Sequence, residues 1–155
     1  MNLLMQALSW NYVLVTALIS SLSAQMIKVI INLILVGKFI PERMWGAGGM
    51  PSAHSATVCA MVVATGLYCG THSTLFAIAL IVSIIVMYDA MGVRRETGEQ
   101  AKVLNRLLNE WMDQESEILP ILGDKKLKEM VGHTPIQVVT GAAFGAVIGF
   151  AMPMV

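Results

Sequence analysis

The chain has 155 residues, of which 56% are hydrophobic and 13% charged, about half the ~25% charged fraction usual for a soluble domain. Ten basic residues balance ten acidic ones, so the formal net charge is zero. That balance argues against a nucleic-acid binder, which is normally basic. The apolar content argues against disorder, and its long runs point to a membrane protein.

Four apolar segments stand out, at 10–36, 55–71, 74–91 and 134–152. A spanning helix needs ~20 mostly apolar residues. The expected fold is therefore all-α, a polytopic bundle of four transmembrane helices forming a single membrane domain over 1–155. No basic stretch precedes the first run, so an uncleaved first span is expected rather than a signal peptide. That span carries Ser20, Ser21, Ser23, Gln25, Lys28 and Asn32. The polar turn Gly70-Thr71-His72-Ser73 makes the second and third spans an antiparallel hairpin. Cys59 and Cys69 lie in one predicted helix, roughly 15 Å apart. A disulfide needs Cα atoms within about 7 Å, so they are read as two small buried residues.

Nine of the ten basic residues fall in two segments, 37–54 and 92–133. Four spans put both on one side, which the positive-inside rule makes cytoplasmic, with both termini outside. The absence of a transit peptide favours a bacterial inner membrane. Within the cytoplasmic segment 92–133, residues 96–116 read as an amphipathic helix, with Ala101, Leu104, Leu108 and Trp111 at helical spacing. This helix either lies along the membrane surface or covers a pocket. Pro120 and Gly123 predict a turn over 117–124, and 125–131 reads as a short basic helix. Asp113, Glu115, Glu117 and Asp124 read as a solvated acidic loop rather than a metal site. Gly141, Gly145 and Gly149 repeat at the spacing that lets membrane helices approach closely, and Gly66 with Gly70 does so more weakly. The sequence leaves open whether their partner is in the same chain or in a second copy forming a homodimer.

Two motifs carry potential chemistry: Gly48-Gly49-Met50-Pro51-Ser52-Ala53-His54-Ser55 and Gly132-His133-Thr134-Pro135-Ile136-Gln137. Each stands at the cytoplasmic start of a span, with proline expected at the first helical position. Thr134 is the expected N-cap before Pro135. Two helix N-termini, each with a histidine, would offer free N–H groups to an anion. Ser52 and Ser55 add hydroxyls, and Arg94 and Arg95 end the third span beside Asp89. Lys28 shares a helical face with Gln25 and Asn32, where an ionisable residue faces a bundle interior. Together these describe a phosphate-handling site. The plainer readings are arginines that only mark a span end, a snorkelling Lys28, and an Asp89 that only pairs with an arginine.

At Pro51-Ser52-Ala53-His54 and His133-x-x-x-Gln137 the sequence resembles the type 2 phosphatidic acid phosphatase superfamily, and more closely its small divergent bacterial and plant branch. The stretches Gly48–Ser55, Met87–Gln100 and Gly132–Gly145 carry the likeness, and with the spans between them they cover most of 25–150. The resemblance implies a metal-independent lipid or isoprenoid phosphatase, with no cofactor. His133 would attack phosphorus and form a phospho-histidine, and His54 would protonate the leaving alcohol. Ser52, Ser55, Lys28, Arg94 and Arg95 would hold phosphoryl oxygens.

The sequence departs from the superfamily pattern in three places. No Arg-Pro follows a lysine at the usual distance, Leu127 stands where the third motif has arginine, and Gln137 replaces the orienting aspartate. Asp89 would supply the missing carboxylate if the third and fourth spans are neighbours. A phospholipid-binding or transport protein that keeps the pocket without turnover is the second reading. Vanadate-dependent haloperoxidase chemistry is a third, disfavoured by the small soluble portion.

Overall fold

The computed structural model describes residues 3–37, 49–112, 127, 129 and 131–154, and among these described residues six helices follow one another. They are α1 (Leu3–Trp10), α2 (Tyr12–Val36), α3 (Ala53–Cys69), α4 (Thr74–Met91), α5 (Val93–Met112) and α6 (Pro135–Ala151). The four expected spans are α2, α3, α4 and α6, each within two residues of its predicted bounds. The turn predicted over 117–124 and the acidic loop positions Asp113, Glu115, Glu117 and Asp124 lie outside the described residues, as do Lys38, Arg43 and Gly48.

Polar side chains set most of the helix starts. Asn11 accepts the Leu14 N–H at 3.0 Å and begins α2. Ser52 accepts the Ser55 N–H at 3.4 Å and begins α3. Ser73 accepts the Phe76 N–H at 3.2 Å and begins α4. Each satisfies a first-turn donor that has no partner inside its helix. Pro135 does open α6, with Thr134 as its N-cap. Pro51 does not open α3: Ser52 takes the cap, which leaves Pro51 one residue outside the helix.

The interior is built from small residues. α3 packs against α2, α4 and α6, and its buried stripe is Ala53, Ala56, Ala60 and Ala64. Gly141, Gly145 and Gly149 are buried on the facing side of α6. A methyl added at Gly141 would strike the Ser52 carbonyl, one at Gly145 the Ala56 carbonyl, and one at Gly149 the Val63 side chain. The glycine stripe is therefore a seam inside one chain. It is not available as the dimer surface that the sequence left open. On the other side of α3, α2 contributes Thr16, Ser20, Ala24 and Lys28, one turn apart and all buried. Ser20 donates to the Ala56 carbonyl at 3.0 Å.

Large apolar side chains point the other way. Leu18, Leu22 and Met26 on α2, Ile78, Ile81 and Ile85 on α4, and Val139 and Phe150 on α6 are all exposed. An exposed apolar surface this wide is an aggregation liability in water and the expected state in lipid. With α2 and α4 long and apolar enough to cross a membrane, the fold is a helical membrane bundle. Lipid tails are as apolar as the side chains, so the helices are held by close contact between small residues rather than by hydrophobic burial.

The first helix and the chain's last turn meet at one end. Leu8 of α1 packs with Tyr12 and Ala64. Tyr12 donates to the Met152 carbonyl at 3.3 Å and stacks near Tyr68, with ring centroids 6.0 Å apart. Exposed Trp10 and Tyr68 mark that end as an interfacial aromatic belt. The starts of α3 and α6 and the end of α4 lie at the opposite end.

The seam gives a direct test. Gly145→Val places branched carbons against the α3 backbone and should cost on the order of 1–3 kcal/mol, the usual penalty of overpacking. Ala143→Val, on an exposed position of the same helix, is the control. Thermal unfolding in detergent should show a lowered midpoint for the first variant only. Equal midpoints would mean that the seam is not the close contact described.

Candidate active site

The site forms where α4 ends and where α3 and α6 begin. Two backbone bonds and one glycine fix it. The His133 N–H donates to the Ala90 carbonyl at 2.9 Å, tying the histidine loop to the last turn of α4. The Ser52 N–H donates to the Gln137 carbonyl at 3.0 Å, tying the start of α3 to the first turn of α6. Gly132 adopts φ +87°, and a methyl there would strike the backbone of Arg95. Only glycine accepts both that backbone and that approach at once.

His133 and His54 face each other. Their ring centroids are 6.1 Å apart and their planes are inclined by 63°. His133 is 2% exposed, whereas His54 lies on the open side. The Nδ1 of His133 lies 3.2 Å from the Gln137 Oε1. The same oxygen accepts the Thr134 N–H at 3.2 Å. A backbone N–H can only donate, so it fixes which end of the amide faces the ring. The amide oxygen then takes the Nδ1 hydrogen and leaves the Nε2 lone pair free.

His133 precedes the membrane-spanning part of α6. Burial pushes its imidazole below the ordinary histidine range. The Gln137 hydrogen bond opposes that shift, and the charges of Lys28, His54 and Arg94 add to it. The net effect disfavours the protonated form of the His133 ring.

Lys28 is 4% exposed and lies against Gly49, whose absent side chain leaves room for the lysine stem. Gly49 also has φ +84°, a second position where glycine is required. Lys28 stands eight residues before the end of α2, so that helix runs about 12 Å beyond the lysine at roughly 1.5 Å per residue. Among the described residues none of the ion pairs involves Lys28.

Ser52 and Ser55 are both fully buried. Ser55 donates its hydroxyl hydrogen to the Ser52 Oγ at 3.0 Å. Ser52 therefore keeps its own hydrogen to donate, and Ser55 supports it from behind. The two helix starts are not equivalent. Pro135 has no N–H, and Gln137 already takes that of Thr134. At α3, the N–H groups of Ala53 and His54 have no acceptor among the described residues. The end with two free first-turn N–H groups among the described residues is therefore that of α3.

The two arginines separate. Arg94 donates from Nε to the Asp89 Oδ2 at 2.6 Å, and its charge reaches His133. Arg95 is exposed on α5 and makes no hydrogen bond or ion pair among the described residues. Asp89 is the partner of Arg94, and His133 Nδ1 meets Gln137 rather than that carboxylate.

Sequence reading did not anticipate the role of Asn105. It lies on the buried side of α5, where its amide donates to the Leu127 carbonyl at 2.9 Å and to Glu129 Oε1 at 2.8 Å. Its oxygen accepts the Leu127 N–H at 2.9 Å. This clamp claims both backbone groups of Leu127. Leu127, Glu129 and Val131 are accordingly not helical, contrary to the helix expected over 125–131; Lys125, Lys126 and Lys128 lie outside the described residues. The amphipathic helix expected over 96–116 begins three residues earlier, and 113–116 lie outside the described residues. The available signal for Asn105 was a polar residue one turn from Ala101 and next to the Leu108 side of that helix.

A model of the divergent PAP2 family matches residues 9–148. The membrane protein YuiD of Bacillus subtilis, itself called uncharacterized, is 40% identical over 144 residues, which are 89% of this chain and 91% of its own length. No solved structure matches. With helices packed as a membrane bundle and a family match along nearly its whole length, this chain belongs to the divergent PAP2 family.

Proposed function

We propose that the protein is a membrane-embedded phosphatase that hydrolyses a lipid or isoprenoid phosphate through a phospho-histidine. The observation that carries this reading is the facing pair His54 and His133, with His133 Nδ1 held by Gln137. The free Nε2 of His133 attacks phosphorus. His54, on the open side where the alcohol departs, donates the proton to the leaving oxygen and then activates the water that hydrolyses the phospho-histidine. Lys28, Arg94, the Ser52 hydroxyl and the N–H groups at the start of α3 neutralise the phosphoryl oxygens. Phosphoryl transfer depends mainly on such positioning and charge neutralisation. In this reading Asp89 positions Arg94, Ser55 orients Ser52, and Arg95 has no place at phosphorus. In this reading this end of the bundle faces the cytoplasm of a bacterial cell, with both termini outside, a placement supported by the charge asymmetry of the sequence.

A second reading, a phospholipid-binding or transport protein without turnover, is favoured by one observation. The residue on His133 Nδ1 is a neutral amide, which orients the ring but stabilises positive charge on it only weakly. Orthovanadate separates the two: as an analogue of the pentacoordinate state it should compete with substrate in a phosphatase.

Phosphate release by the purified protein in detergent tests the assignment, with phosphatidic acid, phosphatidylglycerophosphate and isoprenoid phosphates as substrates. His133→Ala should reduce release to background. His54→Ala should slow it by about 10²–10⁴-fold, the usual worth of a general acid. The loss should be smaller for p-nitrophenyl phosphate, whose leaving group needs little protonation. Undiminished release by the His133 variant would remove the mechanism. No release from any substrate by a wild type that still binds the lipids would favour the second reading.

The pH profile tests the role of Gln137. Activity needs neutral His133, so the acid limb of kcat/KM should lie below the ordinary histidine value of about 6.5. A carboxylate beside the ring favours its protonated form. Gln137→Glu should therefore move that limb to higher pH, with kcat rising at the plateau. An unmoved limb would show that residue 137 does not control the ring.

A further inference from the structure

The helix α5 carries three distinct faces. Ala101 and Asn105 are buried on one face; Asn105 bonds to Leu127 and Glu129 of the return segment, here residues 127, 129 and 131, and Gly98 lies so close to it that a methyl there would meet the Glu129 and Val131 carbonyls. Arg95, Glu99, Lys102, Arg106 and Glu110 form a charged face, within which Lys102 pairs with Glu99 at 2.9 Å and Arg106 with Glu110 at 3.2 Å. The third face carries exposed Glu96 and Gln100 over its first turns and is apolar and exposed beyond them, where Val103 is 59% exposed, Leu104 49% and Leu107 42%. These residues share one side of the helix at three- and four-residue spacing.

We propose that this third face of α5 lies in the bilayer interface, so that α5 is an in-plane membrane helix. Two observations choose lipid as the occupant. The helix starts at the membrane surface, because it follows the membrane-spanning α4 after Gly92 alone. The polar face is highly charged but carries two internal pairs, Lys102 with Glu99 and Arg106 with Glu110, and Glu96 on the same helix sets a further acid against Arg95 in the charge balance. An amphipathic helix with a charged face and an apolar one is the form that lies along a membrane. Near-balanced charge makes the docking hydrophobic rather than dependent on anionic lipid. The bilayer then acts on the site through a short path. It holds α5, Asn105 and Gly98 of α5 hold the return segment, and that segment leads through Gly132 to His133. The inference concerns position in the membrane and needs no phosphatase activity.

Single nitroxide labels test it on the full chain in nanodiscs, with Cys59 and Cys69 replaced and each labelled variant required to elute as the wild type does. Labels are placed at Val103, Leu104, Leu107, Lys102 and Arg106. Collision with oxygen, which partitions into lipid, is compared with collision with a water-soluble nickel chelate. The oxygen-to-nickel ratio should be several-fold higher at Val103, Leu104 and Leu107 than at Lys102 and Arg106. It should be unchanged between nanodiscs of phosphatidylcholine and nanodiscs containing phosphatidylglycerol. Equal access of the chelate to all five positions would overturn the proposal. Shielding of Leu104 and Leu107 from both reagents would overturn it too, because it would place protein on that face. A pattern present only with phosphatidylglycerol would overturn the hydrophobic basis.

Discussion

The close backbone approach of α3 and α6 is the constraint on which the rest depends. Glycine at 141, 145 and 149 brings α6 against the carbonyls of Ser52 and Ala56 and the Val63 side chain. This contact sets the depth of one helix against the other. It thereby brings Gln137 into register with Ser52, whose N–H it accepts. The two histidines reach each other because their helices start at one level. In lipid no hydrophobic force would restore that level if the small residues were larger.

The same geometry explains how a site rich in positive charge persists inside a membrane protein. Lys28 is nearly fully buried, Arg94 reaches His133 electrostatically, and the only carboxylate ion-paired in this cluster among the described residues is Asp89. An ionisable group buried as deeply as Lys28 costs free energy and persists where it faces a polar cavity or an opposite charge, whereas Arg94 and Asp89 stay substantially exposed at 48% and 38%. A buried neutral histidine beside two cations is a poor place for a further proton. It is a good place for an anion, which relieves the charge on all of them.

The bundle was largely legible in the sequence because membrane spans are set by length and composition, and both were in view. The two motifs were legible because glycine, proline and capping residues act locally. What was not legible depends on long-range placement. Periodicity showed that the glycines of α6 pack closely, but not that α3 is their partner. Adjacent Arg94 and Arg95 are alike in sequence, and the direction in which the chain leaves Gly92 separates them. The helix expected over 125–131 failed for a tertiary reason, since Asn105 of α5 takes the backbone groups of Leu127 that a helix would use. The start α1 was missed because its buried anchor, Leu8, is covered by Tyr12 of α2 and by long-range partners, Ala64 of α3 and the cluster that includes Met152.

The amide at position 137 is best understood together with Asp89. A carboxylate on His133 Nδ1 would strengthen the nucleophile, but it would also place a second negative charge near Arg94, Lys28 and an arriving phosphate. In the serine-protease triad an amide in place of the carboxylate costs about 10⁴ in turnover because the tautomer is wrong. Here the Thr134 N–H holds the amide oxygen toward the ring, so the tautomer is the useful one and that part of the cost does not arise. What remains lost is stabilisation of the developing imidazolium. In the proposed mechanism the phosphoryl group transferred to the ring would bring negative charge of its own, held by Lys28 and Arg94, and would offset part of that loss. Orientation by Gln137, with the carboxylate of Asp89 on Arg94, is the division of roles that a pocket binding a dianion before reacting with it would need.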